Sequence, residues 1–125
     1  MKWKRETERL LRQLGINGSY KGFSFVTYSI EKIIQKPELL THVHKELYEM
    51  IALHFGVSPE SAERNIRTVK EISWEYGDKE LLREIFGSRC AQPPGNAAFL
   101  DGLAAYLAEA CAIEKEQDRC DRENG

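Results

Sequence analysis

Apolar positions recur three and four residues apart almost from end to end, and no alternating run of β-branched residues lasts long enough to make a sheet. This period predicts an all-α fold. Leu10, Leu11 and Leu14 give a first helix, from about Lys4 to Leu14, one apolar side, and Gly15 stands where a C-terminal cap belongs. Ile16 to Gly22 is turn material. A second helix is expected over Phe23 to Gln35, although Phe23, Phe25, Val26, Thr27 and Tyr28 suit a strand equally well by propensity. Pro37 suits the first turn of a third helix, which carries Leu39, Leu40, Val43, Leu47, Ile51 and Ala52 and reaches Phe55 before Gly56 ends it. Ser58-Pro59-Glu60-Ser61 reads as a cap, a proline at the first helical position and an acidic first turn, opening a fourth helix to Tyr76. Gly77 and Asp78 lead into a short fifth helix, Lys79 to Phe86. A loop over Ser88 to Gly95 precedes a last helix from Asn96 to about Ile113. A compact six-helix domain is therefore expected over residues 1–113. Residues 114–125, charged and without large apolar side chains, are expected to form a disordered tail.

Ile51 to Arg67 has the layout of a helix-turn-helix. Ala52 is small where two helices cross, Gly56 can take the positive φ of a sharp turn, and Val57 is placed to plug the space between the helices. On the fourth helix Ala62, Ile66, Val69 and Ser73 share one inward face at 100° per residue. Glu60, Arg64, Arg67 and Thr68 then point outward, flanked by Ser61 and Glu63. A helix that enters the major groove needs a dry back and side chains that can reach base edges. Arginine can bond guanine twice, and glutamate can accept from cytosine or orient an arginine. The same pattern also fits a solvated helix face in a hairpin that binds nothing.

Composition bears on this reading through charge. The 125 residues make one domain, large enough to bury a core without disulfides or metal, and 42% hydrophobic with 30% charged residues excludes a disordered chain. With 18 Lys+Arg against 20 Asp+Glu, the net charge of −2 argues at first against nucleic acid. The acidity is local: residues 101–125 hold seven acidic and three basic residues, which leaves fifteen basic and thirteen acidic residues before them.

Cys90, Cys111 and Cys120 form no disulfide framework or zinc spacing, and Cys111 is expected in the core. The charged N-terminus is no secretory signal. The apolar stretch from Ala97 to Ile113 is too short and too acidic to span a membrane, so a cytoplasmic protein is expected. His42 and His44, two apart on a helix, point away from each other and cannot share a metal ion. No glutamate sits in a catalytic spacing, so neither enzyme activity nor a cofactor or small-molecule substrate is expected. The last helix is apolar nearly all round from Ala97 to Ala112, which predicts a protein partner on its outer face or ordinary core packing.

Most of the chain, from about Leu10 to Leu107, resembles the C-terminal DNA-binding effector domain of the master response regulator of endospore formation. The likeness lies in Leu14-Gly15-Ile16, Lys21-Gly22-Phe23, Leu39-Leu40, Lys45 with Leu47-Tyr48, Ile51-Ala52, Glu63-Arg64 with Ile66-Arg67, Trp74 with Gly77, Phe86-Gly87, and Pro94 with Asn96 and Phe99. It implies six helices with the fourth in the major groove, binding to double-stranded DNA at tandem promoter boxes as a head-to-tail dimer, and contact with RNA polymerase. Base reading then falls on Glu63, Arg64 and Arg67. The pattern has arginine at Ser61 and histidine at Thr68, so those two neighbours predict an altered preference and weaker affinity. Candidate backbone contacts are Ser58 at the helix N-terminus, Lys21, Lys45, Lys70 and Arg89, the last in a loop shorter than the pattern's. The resemblance also implies a preceding receiver domain. Taken as complete, the chain would be a single-domain regulator that acts constitutively or by pairing. The alternative is an interaction module that has lost independent DNA binding and forms a heterodimer with a full-length regulator through its last helix.

Overall fold

The computed structural model describes residues 2–88 and 91–124, with residue 2 and those beyond 110 described by backbone alone. The chain folds as α1 (Lys2–Gln13), α2 (Lys21–Gln35), a 3-10 turn (Pro37–Thr41), a π turn (Val43–Leu47), α3 (Tyr48–Phe55), α4 (Pro59–Tyr76), α5 (Lys79–Phe86) and α6 (Asn96–Asn124). No strand occurs among the described residues.

The segment whose propensity was divided between strand and helix becomes the central helix. α2 packs against α1, α3, α4 and α6. Its Phe23, Phe25, Val26, Ile30 and Ile33 are buried. The hydroxyls of Thr27 and Ser29 belong to buried residues too, and they stay satisfied by bonding back within the helix: Thr27 Oγ1 donates to the Phe23 carbonyl and Ser29 Oγ to that of Phe25. Gly22 permits the crossing with α4. A Cβ there would run into the Asn65 carbonyl oxygen and the Val69 side chain.

The continuous third helix expected over Pro37 to Phe55 is broken. His42, at φ −133° and ψ 44°, leaves helical geometry, and Thr41 Oγ1 closes the preceding turn onto the Glu38 carbonyl at 2.8 Å. A tight 3-10 turn followed by a wide π turn nearly restores the average period. Leu39, Val43, Leu47 and Ile51 therefore still all reach the core, which is why the apolar spacing looked like one helix.

α3 and α4 are joined by Gly56, Val57 and Ser58. Gly56 takes φ 70° and closes α3 through its N–H to the Ala52 carbonyl. Val57 is only half-buried against the core rather than plugging it. Trp74 of α4, Phe86 of α5 and Phe99 of α6 meet as an aromatic cluster, with ring centroids 4.9, 6.1 and 6.0 Å apart.

α6 continues past the expected end at Ile113 to Asn124. Its large apolar side chains Phe99, Leu100, Leu103 and Leu107 turn inward, while Asp101, Ala105, Ala108, Glu109 and Ala110 face solvent. Over the described side chains the outer face of α6 is thus alanine with charge between. The side chains of Cys111 and Cys120, with the expected core role of Cys111, lie outside the described residues. No helix among the described residues is long and apolar enough to cross a membrane.

Candidate nucleic-acid interface

α4 begins where its local chemistry places it. Ser58 is the N-cap, its Oγ accepting from the Ser61 N–H at 3.0 Å, and Pro59 takes the first helical position. The helix then divides into two faces. Ala62, Ile66, Val69 and Ser73 are sealed, while Glu60, Arg64, Arg67, Thr68, Glu71 and Glu75 form an exposed strip.

The two strip arginines differ. Arg67 Nη1 donates to Glu63 Oε1 at 2.9 Å, one turn back along the helix. That pair holds the planar guanidinium in one orientation while leaving its other N–H groups free. The Arg64 guanidinium is exposed and meets no partner among the described residues. Thr68 turns its hydroxyl back onto the Arg64 carbonyl at 3.0 Å. Ser61 is engaged locally as well, its Oγ accepting from Asn65 Nδ2 at 3.2 Å.

The α4 N-terminus has little left for a phosphate. Pro59 has no N–H, the Ser61 N–H goes to Ser58 Oγ, and the Ala62 N–H goes to the Ser58 carbonyl. Among its first four N–H positions only that of Glu60 stays open, which narrows the backbone-contact role expected of this end.

Two other helix starts flank the strip. The tight crossing at Gly22 sets the exposed Lys21 beside the middle of α4. On the other side Asn96, the first residue of α6, donates from Nδ2 to Tyr48 Oη and to the Glu63 carbonyl, both at 3.1 Å. This clamp ties α6 to α4 and to the start of α3. Burial pushes the Tyr48 phenol above its usual 10.0 and nearby Glu63 pushes the same way, while the Asn96 hydrogen bond and Arg67 oppose them. Tyr48 is therefore neutral at physiological pH.

A groove runs beside this clamp, lined by His44, Tyr48, Glu63, Arg67, Lys70 and Asn96 among others. Lys70, a candidate backbone contact, is 8% exposed and lines the groove. His44 stands edge-on to the Tyr48 ring, centroids 5.1 Å apart, whereas the exposed Lys45 does not line the groove. Arg89 lies outside the described residues. Tyr48, His44 and Asn96 were not identified as site residues from the sequence. The one local signal was an asparagine opening a helix, which is ordinarily a cap.

Residues 7–107 match the family described as Sporulation initiation factor Spo0A C terminal. The chain belongs to that family. The match takes in α2 to α5 whole, the strip of α4, Lys21 and the Asn96 clamp. The Spo0A C-terminal family is the DNA-binding domain of a sporulation transcription factor and is not an enzymatic family.

Proposed function

We propose that this Spo0A C-terminal family member is a sequence-specific transcriptional regulator that binds double-stranded DNA at promoter boxes. α3 and its three-residue turn act as the support of a helix-turn-helix, and α4 enters the major groove. Arg64 and Arg67 read bases, Glu63 orients Arg67 and accepts from a base donor, and Thr68 and Ser61 border the read positions. Lys21, beside the middle of α4, anchors the phosphate backbone on one flank. Tandem boxes would seat two copies and bring RNA polymerase alongside.

The observation that carries this reading is the strip itself, an unpartnered arginine next to a pre-oriented one on a helix whose back is dry. Fluorescence anisotropy of the full chain against a duplex carrying the family's box, and against a scrambled duplex, tests it. Preferential binding to the box that weakens steeply with salt is expected, and equal affinity for the two duplexes would refute sequence reading. The interaction-module alternative draws no support from the described part of α6, whose outer face offers no large apolar side chain.

A further inference from the structure

We propose that Asn96 is a positioning residue for base reading, holding the turn of α4 that carries Glu63 and Arg67 at one angle to its support. This role rests on the DNA-binding reading above. Glu63 and Arg67 are joined twice: the Glu63 carbonyl takes the Arg67 N–H as part of α4, and Glu63 Oε1 accepts from Arg67 Nη1 at 2.9 Å. A carbonyl has a second lone pair, and Asn96 Nδ2 donates to it at 3.1 Å from the start of α6. The other hydrogen of that amide goes to Oη of Tyr48, a buried residue at the start of α3, again at 3.1 Å. The reading turn of α4, its support α3 and α6 thus meet on one nitrogen.

No other hydrogen bond among the described residues joins residues 59–70 to a distant part of the chain. The back of the helix is held by Ala62, Ile66 and Val69, and apolar contact is non-directional, so it fixes the depth of α4 better than its roll. A roll of about 10° moves a side-chain head lying about 6 Å from the helix axis by about 1 Å. A binding constellation tolerates only about 0.5 Å. The amide is poorly suited to a purely stabilising role, because its Oδ1 is buried and meets no donor among the described residues, which offsets much of what the two bonds return. Turned over, it would set Oδ1 against the Glu63 carbonyl, acceptor against acceptor. Asparagine can therefore join these two acceptors, and aspartate, of the same shape, cannot.

Asn96→Asp removes both donors and places a negative group in the first turn of α6, where it favours the helix, while Asn96→Ala removes the amide without adding charge. In anisotropy titrations of the full chain, the ratio of box to scrambled affinity should fall about fivefold or more in both variants. In Asn96→Ala the scrambled affinity should stay within about twofold and the slope of log K against log salt should not change, since no phosphate contact is lost. An equal fall on both duplexes in Asn96→Ala would mean a backbone contact or a loss of stability alone, and would overturn the positioning role. Tyr48 reports on the bond without DNA. Asn96 holds the phenol pKa down against burial, so tyrosinate absorbance, with Tyr48→Phe as the blank, should appear at higher pH in Asn96→Ala. An unmoved titration would also overturn the proposal. Variants that fold by thermal melt and keep the ratio of a discriminating native chain within about twofold would overturn it alone. A native chain that binds both duplexes equally would refute the DNA-binding reading itself, and this role with it.

Discussion

Arg64→Ala separates base reading from folding more cleanly than any other change in α4. The guanidinium is exposed and has no partner among the described residues, so its loss should alter stability by no more than about 0.5 kcal/mol. On DNA the same side chain would make two hydrogen bonds to one base, worth about 1–3 kcal/mol of discrimination, or about 5- to 150-fold in the ratio of box to scrambled affinity. Arg67→Ala should behave differently. Its pair with Glu63 is half-exposed, 47% and 30% on the two side chains, and contributes only about 0.3–0.5 kcal/mol to the fold. Its greater effect is on binding, because the pair has already ordered a side chain whose immobilisation would otherwise cost about 0.5–1.5 kcal/mol. Removing Arg67 also leaves Glu63 uncompensated beside the phosphates, so affinity for the scrambled duplex should fall along with affinity for the box. Anisotropy titrations of both variants on both duplexes, with thermal melts alongside, measure every one of these quantities. An Arg64→Ala chain that melts normally and keeps the box-to-scrambled ratio within about twofold would refute the reasoning.

Gly22→Ala should push α2 away from Asn65 and Val69 and lower stability by about 1–3 kcal/mol, visible as a fall in Tm and as weaker DNA binding through displacement of Lys21. Ser58→Ala removes the acceptor of the Ser61 N–H and should cost about 1 kcal/mol in a denaturant titration. Since burial raises the folded-state pKa of Tyr48 above 10.0, the unfolded chain loses its phenolic proton first as pH rises. The resulting stability is complete below pH 10.0 and declines above it, so Tyr48→Phe should flatten the alkaline limb of a stability-against-pH curve. Leu53, 88% exposed on α3, should accept serine with a stability change under about 0.5 kcal/mol by thermal melt.

The features legible in the chain are those set by neighbours within a turn or two. The Ser58-Pro59 start, the bounds of α4 and α5, and the division of α4 into a dry back and a charged strip all follow from capping chemistry and a 3.6-residue period. Glu63 and Arg67 are one turn apart, so their pairing needs no knowledge of the fold. The break at His42 was hidden because a 3-10 turn and a π turn in succession preserve the apolar spacing of a straight helix. In α6 the pattern does not rank its apolar positions: alanine counts as apolar, yet it needs no cover on the outside of a helix.

What only the tertiary structure decided is the flank of the strip. The Asn96 clamp joins residues 48 and 33 positions apart in sequence, and the groove beside it draws its lining from α4, the segment before α3 and the start of α6. From the sequence Lys70 is a candidate backbone contact, with nothing to say which elements stand beside it. A groove is a property of the elements that the fold brings side by side, and the walls beside Lys70 come from both the segment before α3 and the start of α6, which no spacing along α4 can reveal.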